Sequence, residues 1–207
     1  EENGEKYLAF QFDALMPANQ LKIRGAHNQS NALAALALGH AVGLPFEPML
    51  ATLRSFTGLA HRCQWVGERK GVSYYDDSKA TNAEAAEQAL KAYKKAYWIA
   101  GGVSKAEGIQ PLAPLFPNIT KAYLIGDSEE TFAATLKGKV ALQTCGTLEN
   151  AVQAAFRDAK VVGDENPVIL LSPACASFDQ FRDFEHRGDV FRSIVQSMMP
   201  QELKELA

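Results

Sequence analysis

The sequence predicts an α/β fold built on a mainly parallel β-sheet with helices on both faces. From about residue 63 to the end, short apolar runs typical of strands alternate with amphipathic segments of helical period. Parallel strands joined through helices need right-handed crossovers, which place the helices over the sheet. The 207 residues are 47% hydrophobic and 22% charged, a composition typical of a globular protein with a sizeable core.

The first 62 residues follow a different pattern. Alternation in "EKYLAFQFD" and again in "QLKIRG" predicts two short strands on either side of the Pro/Asn turn "MPAN". Ala and Leu then occur almost all round residues 28–42, which predicts a buried helix ended by glycine and proline. A second helix is expected over residues 48–56. We therefore place a domain boundary between residues 1–62 and residues 63–207.

The second region contains six predicted strands. They span residues 64–68, 72–76, 97–100, 122–125, 140–142 and 168–171. Apolar residues at helical spacing mark three helices between and after these strands. Their apolar faces are Ala86, Ala89, Leu90 and Tyr93 in the first, Leu148, Val152, Ala155 and Phe156 in the second, and Phe184, Phe191, Ile194, Val195 and Met198 in the last.

The charge and the cysteine content indicate which partners and which cellular compartment to expect. The net charge of -3, without a dense Lys/Arg run interleaved with aromatics, argues against a nucleic-acid partner. Cys63, Cys145 and Cys175 are far apart and odd in number, so neither a disulfide framework nor a Cys-x-x-Cys site is expected. We expect a cytoplasmic protein without a membrane partner, because no apolar run approaches the length of a bilayer span. The chain begins without Met in a predicted strand, so we also expect it to be a piece of a longer protein.

Three of the predicted strands end in turns rich in small and polar residues. These turns are "DDSKATN" from Asp76, "GGVSKAEG" from Gly101 and "SPACASFDQF" from Ser172. The first contains Lys79, ahead of a helix whose Thr81-x-x-Glu84 spacing predicts a capping box. The second has Lys105 behind two glycines. The third places Ser177 at the expected start of the last helix, where backbone N–H groups and the helix dipole favour an anion.

Ligands of an open parallel sheet bind beyond the carboxyl ends of its strands. If the three turns are neighbours there, two ammonium groups, hydroxyls and a helix N-terminus converge on one carboxylate-binding region, and the two lysines suit a dicarboxylate. Each residue taken alone has a simpler interpretation. A lysine in a strand–helix turn is usually solvated, Thr81 would cap its helix, and Phe184 would belong to the core.

The residues of these turns resemble those of the Mur ligases. The shared stretches are "GAHNQSNALAA", "GLAHR", "DDSKATN", "GGVSKAEG" and "SPACASFDQFRDFEHRG", which occur in the family's order from about Leu21 to the end. The nearest branch of the family adds D-glutamate to UDP-N-acetylmuramoyl-L-alanine in peptidoglycan precursor synthesis. The resemblance implies an amide-forming enzyme that uses ATP and Mg²⁺ and is monomeric when complete. In such enzymes ATP phosphorylates a substrate carboxylate, and the amine of an amino acid attacks the acyl phosphate.

The resemblance also implies what each part of the chain does. Residues 63–207 would form a Rossmann-like C-terminal domain that binds the amino acid, preceded in residues 1–62 by the end of an α/β central ATP-binding domain. Contacts to the adenine and ribose of ATP would fall on Asn28, Asn31, Arg62 and Asp77. Contacts to D-glutamate would fall on Lys79, Thr81, Lys105, Ser177, Phe178 and Phe184. His61 and Lys79 are the implied catalytic residues. No metal ligand is implied, because the family's magnesium ligands lie mostly in the part that is missing here.

Other roles stay open for the four nucleotide-side residues. Asn28 and Asn31 are three residues apart and so share a helix face, but Asn28 is equally well placed to cap the helix. Arg62 is at least as well explained by an exposed salt bridge. Asp77 would either accept bonds from ribose hydroxyls or end its strand by bonding its own backbone.

The sequence departs from the family in several places. No G-x-x-x-x-G-K-[ST] phosphate loop and no UDP-binding domain occur in these residues, so we expect the chain alone to be inactive in ligation. Ala60 stands where proline is common, and Phe178 where leucine is often found. Two alternatives stay open: a sister ligase for a diamino acid, alanine or a folate-chain glutamate, and a non-catalytic Rossmann-like binding module. Lys79 and Lys105 favour a substrate with a distal carboxylate over a diamino acid.

Overall fold

The structure is a computed structural model that describes residues 4–23, 25–162 and 166–198. The chain divides between Gly58 and Leu59 into two compact units. The sequence pattern changes four residues later, after Arg62. That the first unit is the end of an ATP-binding domain stays a prediction.

The first unit consists of a small hairpin and two helices. Strand β1 (Tyr7–Phe10) pairs antiparallel with β2 (Asp13–Pro17), and a short 3₁₀ helix follows at Ala18–Gln20. Helices α1 (Ala26–Ala41) and α2 (Phe46–Ser55) complete the unit. Its core is a small apolar cluster of Leu8, Met16, Leu21, Ala32, Leu36 and Leu50.

The prediction for the second strand is wrong in its position. The strand ends at Pro17, inside the "MPAN" stretch, instead of following it, and the hairpin turns at Gln11, whose φ of 54° is left-handed. This register places Leu8 opposite Met16, and both side chains are almost fully buried. Burial of that apolar pair fixes the register, since a slip of one residue would turn both side chains to the other face.

The prediction of a fully buried first helix is also wrong. Helix α1 buries one face, with Ala32 and Leu36, whereas Leu33, Leu38 and Val42 are exposed. The reason is that the packing partners of α1 in the described unit, β1 and α2, cover only part of its circumference.

The cap of this helix also differs from the interpretation left open for Asn28. Helix α1 begins two residues before Asn28, and its N-cap is Gly25, with a φ of 98°. Asn28 therefore lies inside the first turn, where it is not the capping residue.

The second unit is a six-stranded sheet, and all six predicted strands are present. They are β3 (Gln64–Arg69), β4 (Val72–Asp76), β5 (Ala96–Gly101), β6 (Ile119–Ile125), β7 (Ala141–Gly146) and β8 (Val168–Leu171). The order across the sheet is β3-β4-β8-β5-β6-β7. Every neighbouring pair is parallel except β3 with β4, which forms an antiparallel edge hairpin. The expectation of a mainly parallel sheet is confirmed.

Helices cover both faces of this sheet. The helices are α3 (Ala83–Ala92), α4 (Glu129–Leu136), α5 (Leu148–Val162) and α6 (Phe184–Met198). One core lies between the sheet and α3, α4 and a 3₁₀ helix at Gln110–Asn118, and the other lies under α5 and α6. The predicted faces of the first two helices pack in these cores as expected, and so do the later residues of the α6 face, from Phe191 to Met198. Phe184 belongs to neither core cluster, and α4 was not predicted. No helix among the described residues is long and apolar enough to cross a membrane.

Trp98 connects one of these cores to the edge of the sheet. Its side chain is fully buried, and its Nε1–H donates a hydrogen bond of 2.8 Å to the carbonyl of Ser172, the residue that follows β8. The chain's other tryptophan, Trp65, is 55% exposed on β3.

We predict that Trp98→Phe lowers the free energy of unfolding by about 1–3 kcal/mol, because it leaves a small cavity and an unpaired buried carbonyl. Trp65→Phe is the matched control and should change stability by less than about 0.5 kcal/mol. Urea unfolding followed by circular dichroism measures both. Equal losses for the two variants would contradict the role given to the Trp98 hydrogen bond.

Candidate functional site

The sheet order makes neighbours of the three turns that the sequence singled out. Strand β8 lies between β4 and β5, so the turns after all three strands meet at the carboxyl edge of the sheet. The turns after β5 and β8 are also joined directly. Val103 N–H donates to the Ala176 carbonyl at 2.9 Å, and Ala176 N–H donates back to Val103 at 3.0 Å. The expected convergence of the three turns is therefore present in the backbone.

The turn after β4 is tight and presents Lys79. Ala80 N–H donates to the Asp77 carbonyl and Thr81 N–H to the Lys79 carbonyl, each at 2.9 Å. The Lys79 ammonium lies 3.7 Å from the centroid of the Phe184 ring, which is a cation–π contact. Among the described residues, no carboxylate lies within ion-pair distance of this ammonium.

His61 belongs to the same cluster. Its carbonyl accepts from Lys79 N–H at 3.0 Å, and its ring meets the Phe184 ring edge-on at 6.1 Å between centroids. On its other side, His61 Nδ1 lies 2.8 Å from Asp76 Oδ2. Both members of this pair are buried, and burial raises the pKa of the Asp76 carboxyl above its ordinary value.

Gly188 on α6 makes room for the His61–Asp76 pair. A Cβ at this position would collide with His61 Nδ1 and lie 2.7 Å from Asp76 Oδ2. Glycine is therefore required here because the neighbouring side chains leave no space for a Cβ. Backbone strain is not the reason, since Gly188 has ordinary helical geometry.

Thr81 is not the cap of helix α3, contrary to the capping box expected from its spacing to Glu84. The helix begins at Ala83, and the N-cap is Asn82, whose Oδ1 accepts from Ala85 N–H at 2.9 Å. Asparagine is as good a cap as threonine, and here it stands one residue closer to the helix. Thr81 consequently lies in the turn itself, with its side chain partly exposed.

Ser177 does not stand at the start of the last helix either. Helix α6 begins at Phe184, and its first turn is capped by Asp183 Oδ1, which accepts from His186 N–H at 2.7 Å. The expected anion site at this helix terminus is thus already occupied by a carboxylate of the chain. Ser177 is buried in the preceding turn, where its carbonyl accepts from Gln180 and Phe181.

Lys105 and Phe178 are exposed at the same edge. Lys105 lines an open cavity of about 330 Å³ that lies against the N-terminal end of α3. The cavity wall also contains Asn82 and three carboxylates, Glu84, Glu87 and Glu107. Phe178 is 73% exposed in the turn after β8.

The four nucleotide-side candidates are distributed over both units. Asn31 Nδ2 donates to Asn28 Oδ1 at 3.3 Å, so the two asparagines share a face of α1, whereas Arg62 is exposed in the second unit. Asp77 is buried, and both of its oxygens are bonded internally: Oδ1 accepts from Cys63 N–H at 3.1 Å, and Oδ2 from Ser172 Oγ at 2.7 Å. Burial raises the pKa of Asp77 to about 6.

Sequence reasoning missed Asp76, Ser78 and Arg187 as parts of this site. Arg187 lies in α6 and reaches Ser78 and Cys175 with three hydrogen bonds of 2.9 to 3.0 Å. The available signal was the pair Arg187–Gly188 on an otherwise amphipathic helix, since glycine inside a helix usually has a packing reason. Within residues 4–23, 25–162 and 166–198, no group of His, Cys, Asp and Glu side chains could hold a metal ion.

Comparison with known proteins shows the family of the chain. The family model described as "Mur ligase, glutamate ligase domain" matches residues 61–175. The UDP-N-acetylmuramoylalanine–D-glutamate ligase of Pseudomonas savastanoi pv. phaseolicola is 52% identical over 96% of this chain and 45% of its own length. The enzyme of the same name from Nitrobacter hamburgensis is 53% identical over 85% of this chain and 38% of its own length. The chain belongs to the Mur ligase family, and it spans less than half the length of these curated relatives.

Two solved structures share the fold. The UDP-N-acetylmuramate-alanine ligase MurC of Thermotoga maritima matches with a TM-score of 0.57 at 21% identity, over 86% of this chain and 40% of that one. The bifunctional folylpolyglutamate synthase/dihydrofolate synthase of Yersinia pestis matches with a TM-score of 0.56 at 20% identity, over 84% of this chain and 40% of that one. At such identities the likeness shows the fold alone, and it confirms the α/β class.

We predict that Asp77→Asn raises the free energy of unfolding at pH 7.5 but not near pH 4. The folded-state pKa of about 6 lies above the ordinary aspartate pKa of 3.8, so the folded state binds the proton more tightly than the unfolded state. The ionised carboxylate therefore costs stability above pH 6, by up to ~3 kcal/mol, and this cost disappears as the pH falls from 6 towards 4.

Chemical unfolding of both proteins across this pH range measures the difference. Asp13→Asn, at an exposed position on β2, is the control and should follow the wild type throughout. A gap between Asp77→Asn and wild type that widens as the pH falls would contradict the raised pKa.

Proposed function

We propose that this chain supplies the amino-acid site of a ligase that joins D-glutamate to UDP-N-acetylmuramoyl-L-alanine in peptidoglycan precursor synthesis, in the cytoplasm. The family membership and the names of the relatives support the proposal. The observation that carries it is the Lys79 ammonium, held over the Phe184 ring at the carboxyl edge of a parallel sheet without an ion-pair partner among the described residues.

D-Glutamate has two carboxylates, and the edge offers two ammonium groups that suit them. We assign one carboxylate to Lys79 with Thr81, and the other to Lys105, because a lysine is a compact charge with rotatable donors. Ser177 would add a hydroxyl if its side chain, which is 2% exposed, became accessible on binding. Phe184 fixes the position of Lys79 from below, and the exposed Phe178 would cover the aliphatic part of the amino acid.

The chain's contribution to the reaction would be orientation and electrostatics. ATP, when bound, would supply the phosphoryl group that activates the carboxylate of the second substrate. Lys79 would hold the amino acid so that its amine points to that carboxylate. We assign His61 to the reacting end of the amino acid, because Asp76 fixes its Nδ1. Its Nε2 lies 3.9 Å from Oδ1 of the exposed Asp189, so a contact to the amino acid would compete with that carboxylate.

The nucleotide-side assignments fit less well. Asn28, Asn31 and Arg62 have exposed or partly exposed side chains and suit contacts to a base or a phosphate. Asp77 has both oxygens bonded within the fold, so a contact to ribose would require one of these bonds to break. Mg²⁺ finds no ligand group among the described residues, and no step is assigned to this chain for either cofactor.

A diamino acid is the second candidate substrate, and one feature favours it. Glu84, Glu87 and Glu107 line the same cavity as Lys105, and carboxylates there would suit a distal ammonium group. Glu87 is already paired with Lys91 at 3.0 Å, which lowers its capacity to bind a second cation. Glu84 and Glu107 remain beside Lys105, so the charge of this cavity alone does not favour a dicarboxylate. The preference for D-glutamate rests on Lys79, which has no ion-pair partner among the described residues, and on the names of the relatives.

We predict that the chain binds D-glutamate in preference to L-glutamate, lysine and diaminopimelate in ligand-observed NMR. Lys79→Ala should weaken binding of D-glutamate by about tenfold or more, because a charge-assisted contact to a carboxylate is lost. Lys94→Ala is the control, since this exposed lysine lies just before β5, at the amino ends of the strands and away from the three turns.

Preferential binding of lysine or diaminopimelate would indicate that the substrate is a diamino acid and not D-glutamate. D-Glutamate binding that survives Lys79→Ala unchanged would contradict the assignment of Lys79. Absence of binding to all four compounds, here and in the full-length enzyme, would contradict the proposed site.

A further inference from the structure

Arg187 is a buried cation at the centre of the candidate site. Its side chain is only 1% exposed, on the first turns of α6. Within the described part of the chain, no carboxylate lies at ion-pair distance from its guanidinium. All of the hydrogen-bond acceptors found for it are neutral oxygens.

The guanidinium uses its planar set of donors to hold two turns together. Nε donates to Ser78 Oγ at 2.9 Å, and Nη2 donates to the Ser78 carbonyl at 2.9 Å and to the Cys175 carbonyl at 3.0 Å. Ser78 Oγ in turn donates to the Phe184 carbonyl at 2.8 Å. One side chain thus connects the turn after β4, the turn after β8 and the beginning of α6.

This arrangement costs stability, which argues that it serves geometry. Burial lowers the pKa of Arg187 to about 10, because the charged form loses its hydration. Nη1 is also buried, without a hydrogen-bond partner in the described structure. An apolar side chain of similar size would avoid both costs but could not bridge the two turns.

The segments that Arg187 joins contain the residues assigned to the amino acid. Ser78 immediately precedes Lys79, Cys175 lies two residues before Ser177, and Phe184 forms the ring under the Lys79 ammonium. Ser78 is hydrogen-bonded to both Arg187 and Phe184 and precedes Lys79 directly in the chain. A shift of Ser78 relative to Phe184 would therefore separate Lys79 from that ring.

We propose that Arg187 is a positioning residue that fixes Ser78 against Phe184 and thereby holds Lys79 over the Phe184 ring, so that an acidic amino acid meets a preformed ammonium. The proposal rests on the proposed function for the identity of the ligand. The position of Lys79 can be measured without any ligand, so the positioning role of Arg187 and the proposed function are tested separately.

The test compares Arg187→Lys and Arg187→Met with Arg157→Met, a control on an exposed arginine of α5. The first readout is the NMR shift of the Lys79 side-chain methylene beside its ammonium, which the Phe184 ring should move upfield in the ligand-free wild type. Lys79→Gln identifies the signal by its loss. Urea unfolding of each variant reports separately whether the fold is retained.

We expect Arg187→Lys to remain folded and to lose the upfield shift, because an ammonium keeps the charge but cannot reach the three acceptors together. Binding of D-glutamate should weaken about tenfold in Arg187→Lys, and Arg157→Met should leave the shift and the binding unchanged. A folded Arg187→Lys that retains the upfield shift would overturn the proposal, as would the absence of the shift from the wild type.

A second variant decides the matter if substitutions of Arg187 prevent folding. Ser78→Ala removes only the hydroxyl that links Arg187 to Phe184, and we expect it to fold and to lose the upfield shift. A folded Ser78→Ala with an unchanged shift would overturn the proposal. A wild type that shows the shift but does not bind D-glutamate would count against the proposed function and leave the role of Arg187 standing.

Discussion

The insertion of β8 between β4 and β5 is the constraint on which the site depends. It brings together three turns that are up to 100 residues apart in sequence, and neighbouring hydrogen bonds hold them there. Trp98 donates a hydrogen bond to the Ser172 carbonyl from the core, and the backbones of Val103 and Ala176 pair beyond the strand ends.

Two glycines allow the turns to approach each other, since a Cβ at Gly101 or Gly102 would collide with a neighbouring carbonyl. Without β8 in this place, the turns that contain Lys79, Lys105 and Ser177 would not meet.

The resulting edge combines positive charge with a rigid support. Lys79 is held by a ring below it and by the backbone of His61 beside it, so little conformational freedom remains to be lost when a carboxylate binds. His61 is fixed in turn by Asp76, and Arg187 joins the turns from beneath. A preformed ammonium of this kind fits the proposed role of orienting an amino acid, and it agrees with membership of the Mur ligase family.

Sequence reasoning could predict local structure and the chemical types at the edge, but only part of their arrangement. The strands at 72–76 and 168–171 were predicted at their observed bounds, because each is a short apolar run bounded by turn residues. The capping box failed because an asparagine one residue later offers an equally good cap. Ser177 was misplaced because six turn residues separate it from α6. Arg187 was missed because an arginine on an amphipathic helix usually faces solvent, and its acceptors come from segments distant in sequence.

The most direct test of the proposed amino-acid site is a titration of the isotope-labelled chain with D-glutamate, followed through backbone amide NMR signals. If the three turns form one carboxylate site, the amides that shift should cluster at residues 79–81, 102–105 and 176–178. Together they should report a single dissociation constant. Saturable shifts confined to another part of the chain, or shifts in one turn without the other two, would contradict a site built from the three strand ends.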